Sequence, residues 1–359
     1  MRRHLGARIG LALAVLAGPT AAGGAPHAEA APIVVPGWPA LAAEFSGSTL
    51  AWAAARTSRL RGFAYWSVEA SRVRLGRGGP SGPVETPVVV RTQAGPFSGV
   101  AIAPAGSPRE PGAFVLLARG RAFPPPVVWC CDARGLEVVI ESDGRAGAPR
   151  AVAAGADGRR VRLVLVAATS ARLVSEDPQR LGDDPAGRAG ALPRAEAPFP
   201  GRPADGLAAI RGGLAAWVER GEPAAVRVAR IGDGGATGLT ILHQPGSVAA
   251  LRVDPPRAVV VALRAGRGAQ VARHDLARGR RAVLWRGRSL PRIAAAGGAV
   301  AIADGRRVLA GRAGRVAPVG RAGGAVGALA TDGRRVAIFE RIASRRGSRV
   351  TVVRLVRLR

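Results

Sequence analysis

Apolar residues in this chain come in short runs of Val, Ala, Leu and Ile, cut by turns of Gly, Pro and Asp. One unit recurs: an apolar strand, a tight turn, and a second apolar strand that often closes on Arg. Its copies read LAAEFSGSTLAWAAAR (to Arg56), VAIAPAGSPREPGAFVLLAR (to Arg119) and VAAGADGRRVRLVLVAA (to Ala168). LAAIRGGLAAWVER (to Arg220), VAALRVDPPRAVVVALR (to Arg264), IAAAGGAVAIAD (to Asp304) and VGALATDGRRVAIFER (to Arg341) follow. The turns fall near Gly47, Gly106, Gly158, Gly213, Pro255, Gly298 and Gly333, at spacings of 59, 52, 55, 42, 43 and 35 residues. Gly and Asp-Gly supply the positive φ that a two-residue hairpin needs. Val/Ala runs suit strands buried on both faces. A strand-only repeat of roughly 40–50 residues is a β-propeller period.

Two further strands are expected after most pairs. Examples are residues 225–231 with 239–243, and 269–276 with 281–287. The last unit has one only, SRVTVVRLVRLR, while Ile33-Val34-Val35 stands unassigned near the N-terminus. The fold predicted is all-β: a single propeller of about seven four-stranded blades over residues 31–359. Its N-terminal strand is expected to pair with the C-terminal blade and so remove an exposed edge. The turns Asp157-Gly158-Arg159-Arg160-Val161 and Asp332-Gly333-Arg334-Arg335-Val336 resemble the D-G-[KR]-φ turn of TolB-type, WD40-like propeller repeats. That resemblance implies the fold and a periplasmic or extracellular setting; it implies no reaction.

The N-terminus sharpens the setting. A basic segment, MRRHLGARIG, precedes the apolar LALAVLAG and a small-x-small site at Ala28-Glu29-Ala30. Residues 1–30 are therefore expected to be a signal peptide cleaved after Ala30. The apolar run from Ile9 to Ala17 is too short to span a bilayer. No later run suggests a transmembrane segment.

Composition adds charge. All 53 basic residues are Arg, and the formal net charge is +29. Residues 257–359 hold 24 Arg against four acids, whereas residues 132–210 hold 11 of each, so the basic field belongs to the C-terminal third.

Few residues suggest chemistry. Cys130 and Cys131 are the only cysteines. In an exported protein they make a vicinal disulfide conceivable, against two buried thiols on opposite strand faces. His243 and His274 fall in different blades without partners for catalysis or metal binding, and are expected to be structural. Ser175 to Asp205 interrupts the repeat as a Pro- and acid-rich loop insertion with six prolines, and Glu176, Asp177, Asp183, Asp184 and Glu196 within it match no calcium-loop spacing. Trp52, Trp217 and Trp285 are expected in the core, while the sequence leaves Trp38 and Trp66 undecided between core and surface. No catalytic, cofactor-binding or metal-ligating set is predicted. The anion-binding candidates are the turn residues Arg306, Arg307, Arg334 and Arg335.

The function expected is a non-enzymatic exported module that binds a protein or envelope component. One alternative is a propeller-type hydrolase or lyase, which needs clustered carboxylates or His that the second half lacks. The other is a binder of anionic cell-wall polymer through the Arg-rich C-terminal blades. Nucleic acid is not an expected partner, because export disfavours it and no basic-aromatic interleaving supports stacking.

Overall fold

A computed structural model gives the architecture. It describes residues 32–358 apart from 36–37, 61–62, 77–78, 85–87, 94–96, 106–112, 121–126, 132–134, 141–149, 158–159, 168, 177–194, 233, 313 and 344–348; side chains are described mainly in 38–55, 67–84 and from 197 onward. The signal-peptide expectation lies outside the described residues, as does the centre of the Pro- and acid-rich stretch.

The described strands make seven four-stranded antiparallel sheets. Strand β1 (Ile33–Val35) stands first in the chain. The first consecutive sheet joins β2 (Ala40–Ser46), β3 (Thr49–Leu60), β4 (Phe63–Arg74) and β5 (Val88–Gln93). The next joins β6 (Phe97–Ala105), β7 (Ala113–Gly120), β8 (Val127–Cys131) and β9 (Gly135–Ile140). Then come β10 (Arg150–Asp157), β11 (Arg160–Val166), β12 (Ala171–Glu176) and β13 (Ala195–Pro198). The fourth sheet holds β14 (Pro203–Arg211), β15 (Leu214–Glu219), β16 (Ala225–Gly232) and β17 (Gly235–His243). The fifth holds β18 (Ser247–Asp254), β19 (Ala258–Ala265), β20 (Gly268–Asp275) and β21 (Arg280–Gly287). The sixth holds β22 (Arg292–Ala296), β23 (Ala299–Asp304), β24 (Arg307–Arg312) and β25 (Ala317–Arg321). In the last sheet β26 (Ala325–Thr331), β27 (Arg335–Ala343) and β28 (Arg349–Arg357) run in order, and β1 lies beside β28. Ile33 stands opposite Val353, Val34 opposite Val352 and Val35 opposite Thr351.

The first strand of each sheet packs against the first strand of the next, around the circle and back from β26 to β2. This arrangement is a β-propeller, with the first strands lining a central lumen. Glycine lets those strands converge. A Cβ on Gly155 of β10 would run into the Ile210 carbonyl of β14, and one on Gly327 of β26 into the Ala40 carbonyl of β2.

The core lies between sheets. Ala258–Leu263 of β19 is wholly buried, because each pleat face meets a different neighbour. Val259 and Val261 pack toward β14–β16, while Val260 and Ala262 pack toward β22–β24. That is why the second strands read as unbroken apolar runs rather than alternating ones. Trp52 and Phe339 join the first and last sheets with ring centres 5.6 Å apart, and Ile33 packs into the same cluster.

The loop expectation for Ser175 to Asp205 needs correction at both ends. Ser175 and Glu176 finish β12, Pro203 to Asp205 begin β14, and Ala195–Pro198 is itself strand β13, pairing with β12. It is an outermost strand, where Pro is tolerated because one edge has no ladder to complete.

Candidate functional site

Chain direction fixes where each turn lies. A first strand and its successor meet in a hairpin at one end of the sheet; the turn between second and third strands lies at the opposite end. The hairpins of the first kind gather on one face of the ring, called here the hairpin face.

On that face, over the mouth of the lumen, lies an open cavity of about 900 Å³. Phe45, Gly47, Leu75, Gly297 and Leu358 contribute to its wall, together with Arg211, Arg312, Arg334, Arg335, Arg357 and a single acid, Asp332. Each cation reaches the rim for a topological reason. Arg211 ends β14, Arg312 ends β24, Arg357 ends β28, Arg334 lies in the β26–β27 turn and Arg335 opens β27.

Asp332 builds that turn. Its Oδ1 accepts the backbone N–H groups of Arg334 (2.8 Å) and Arg335 (2.6 Å), which is an Asx-turn. Its Oδ2 accepts Nε and Nη2 of Arg335, both at 2.8 Å. Arg335 also donates to the Gly47 carbonyl at 3.3 Å and lies 5.3 Å from the Phe45 ring centre. Gly333 has φ +90°, and a Cβ there would press on the Gly297 backbone at 2.8–3.1 Å. Arg312 donates to the Gly333 carbonyl through Nε (2.6 Å) and Nη2. Arg335 and Arg312 are thus committed to holding the mouth together. Arg334 and Arg357 are exposed, and their guanidinium groups pair with no carboxylate among the described residues.

Below the rim the lumen carries charge as well. Arg211 Nη1 reaches across to Glu44 Oε1 of β2 at 3.0 Å and to the Ala295 carbonyl of β22 at 3.5 Å. Asp254, at the end of β18, is 3% exposed. Burial raises its pKa, although it accepts Gly298 N–H at 3.1 and 3.2 Å and lies 4.0 Å from Arg273.

The four anion-binding candidates do not form one cluster. Arg334 and Arg335 sit at the cavity; Arg306 in the β23–β24 turn and Arg307 at the start of β24 lie at the other end of the second strand. There Arg306 Nε donates to the Ala322 carbonyl at 2.8 Å. Arg211, Arg312, Arg357 and Glu44 were missed by sequence reasoning. For Arg211 and Glu44 the available signal was a charge inside or ending an otherwise apolar first strand, as in LAAEF and LAAIR.

His274 is buried, and its Nε2 lies 3.1 Å from Gln244 Oε1. Burial, helped by Arg281, lowers its pKa to about 4, so it is a neutral structural group near pH 7. His243 is exposed in β17, opposite Ala225. Trp52, Trp217 and Trp285 are buried, and Trp38 is 36% exposed. The side chains of Cys130, Cys131 and Trp66 lie outside the described residues; the backbone places both cysteines in β8. Among the described residues no three His, Cys, Asp or Glu side chains gather as a metal site would require, and no helix is long and apolar enough to cross a membrane.

No protein-family model matches the chain, and no curated protein is similar to it in sequence. In structure it is similar to the Myceliophteria thermophila Cps50 (Swd1) β-propeller domain, at 11% identity and a TM-score of 0.49, over 91% of this chain and 99% of that one. It is similar also to Kluyveromyces lactis Hsv2p, at 10% identity and a TM-score of 0.45, over 88% and 96%. TolB from Acinetobacter baumannii aligns at 16% identity and a TM-score of 0.41, over 81% of this chain and 59% of that one. Likenesses at this level carry no information on function.

Proposed function

We propose that the protein is an exported, non-enzymatic β-propeller that binds an acidic segment of a protein or envelope component at the mouth on its hairpin face. The observation that carries this reading is the lining of the cavity: five arginines against one aspartate that is already held by its own turn. Arg334 and Arg357 are the ligand-facing cations. A guanidinium fork matches carboxylate geometry in a bidentate way, and Arg is the usual anchor where acidic groups are recognised. The hydrolase or lyase reading is not favoured, because the carboxylates near the axis serve the frame: Glu44 is tied to Arg211, Asp332 to Arg335 and Asp254 to Gly298.

In this reading the ring has seven blades and β1 shuts it. Ile33 is buried in the cluster that joins the first and last sheets. Deleting residues 31–36 should then cost about 2–4 kcal/mol, from one lost aliphatic side chain and a bared strand edge. An unchanged unfolding midpoint in urea would contradict closure.

Binding is tested by titrating a fluorescent poly-glutamate peptide at low and high salt. The parent should bind, with affinity falling steeply as salt rises, because exposed charge pairs are screened. R334Q/R357Q should bind at least about tenfold more weakly, roughly 1.4 kcal/mol. Salt-insensitive binding, or a double variant as good as the parent, would overturn the reading. Export has its own readout: the mass of the mature protein should place its N-terminus at or near Ala31, and an intact Met1 on cytosolic protein would refute it.

A further inference from the structure

Charge inside the lumen follows a pattern that the rim does not explain. Three consecutive first strands each carry one arginine. Arg211 is the last residue of β14, Arg252 is third from the end of β18, and Arg292 is fifth from the end of β22. Odd positions share one face of a pleated strand, and two residues rise ~7 Å. The arginines therefore descend the channel wall as a staircase from the mouth.

The steps differ in their partners. Arg211, at the top, is neutralised by Glu44. Arg252 makes one hydrogen bond, from Nη1 to the Leu251 carbonyl at 2.7 Å. Arg292 makes one, from Nε to the Val326 carbonyl at 3.0 Å. Among the described side chains of the first strands the carboxylates are Glu44 and Asp254, and both are engaged elsewhere. Arg252 and Arg292 are both exposed, on first strands that line the lumen. Burial lowers the pKa of both; for Arg252, Glu44 opposes the drop and Arg292 adds to it. Two like charges on adjacent first strands, with most of their donors uncommitted, leave guanidinium forks open to an anionic acceptor.

We propose that the lumen between Arg252 and Arg292 binds a single oxyanion group, a carboxylate or a phosphate. The guanidinium forks supply bidentate donors from two adjacent walls, and the Arg211–Glu44 bridge lies between this site and the cavity above. The site is distinct from the rim: its occupant is one small anionic group, and its residues are not those that hold an acidic peptide outside.

Calorimetric titration of the purified full chain in low-salt buffer tests the site, with inorganic phosphate in one arm and succinate in the other. The expected result is saturable one-to-one binding of at least one probe, weakened tenfold or more in R252Q and in R292Q. R306Q/R307Q removes more charge outside the lumen and should bind as the parent does. Preference for phosphate would assign a phosphorylated ligand, and preference for succinate a carboxylate; either supports the site. No saturable binding, stoichiometry above one, or equal weakening in R306Q/R307Q would overturn it. If R252Q fails to fold, R292Q alone decides, read also as loss of the anion-induced rise in melting temperature. Poly-glutamate binding should be unchanged in R292Q, so failure here is separable from failure of the rim reading.

Discussion

The pentapeptide Asp-Gly-Arg-Arg-Val occurs three times, at 157–161, 304–308 and 332–336, and the last two copies do different work. At 332 it joins a first strand to a second, on the cavity side; at 304 it joins a second to a third, at the opposite end. Asp332 caps its own turn and grips Arg335, whereas Asp304 accepts a hydrogen bond from Ser289 at 3.0 Å. Gly333 is wedged against Gly297 of the neighbouring sheet, whereas a Cβ on Gly305 would meet nothing within 4 Å. Local sequence sets the turn in both places. The parity of the hairpin within its sheet sets the face, the neighbours and hence the role.

Substituting the two glycines should separate the copies most. Gly333→Val forces a side chain into a φ of +90° and against backbone, and should cost about 3–4 kcal/mol. Gly305→Val, at φ +56° with open space around it, should cost about 1–2 kcal/mol. Urea unfolding of both variants measures the gap, and equal costs would mean that the mouth is not packed as described.

A second test isolates a group that belongs to neither turn. The pKa of His274 is lowered from 6.5 to about 4 by burial, so the neutral form is preferred in the folded state. The associated stability is fully present above 6.5 and is lost as pH falls toward 4, up to about 3 kcal/mol. His274→Gln should flatten that part of the pH profile. A parallel loss in parent and variant would assign the acid sensitivity to carboxylates instead.

Smaller still is the difference between the aspartates. Asp332→Ala gives up two backbone acceptances and the Arg335 pair, about 1–2 kcal/mol. Asp304→Ala, losing one exposed hydroxyl contact, should cost about 0.5 kcal/mol or less. Reversal of that order in thermal unfolding would refute the capping role of Asp332.

The same contrast explains what could be read from the chain and what could not. The second strands were legible because burial on both faces leaves an unbroken apolar run such as AVVVAL. The turns were legible because positive φ demands glycine. Strand β13 was hidden in a proline-rich stretch, since an outermost strand tolerates Pro and takes its order from the β12 partner. The face of an arginine was not legible at all: Arg306 and Arg334 share the same local sequence. The lumen arginines were masked by the abundance of Arg elsewhere. Their distinguishing mark is placement within an apolar first strand, as in VAALRVD, and it gains meaning only once the first strands are known to line the axis.

In the proposed reading, charge on the hairpin face binds and equal charge on the other face does not. It is tested by measuring poly-glutamate affinity for R334Q/R357Q and R306Q/R307Q side by side, at one low salt concentration. Each variant loses two positive charges, so a nonspecific field would weaken both alike. The structure predicts about tenfold or greater weakening for R334Q/R357Q and less than about twofold for R306Q/R307Q. Equal weakening in the two variants, or a larger loss for R306Q/R307Q, would contradict it.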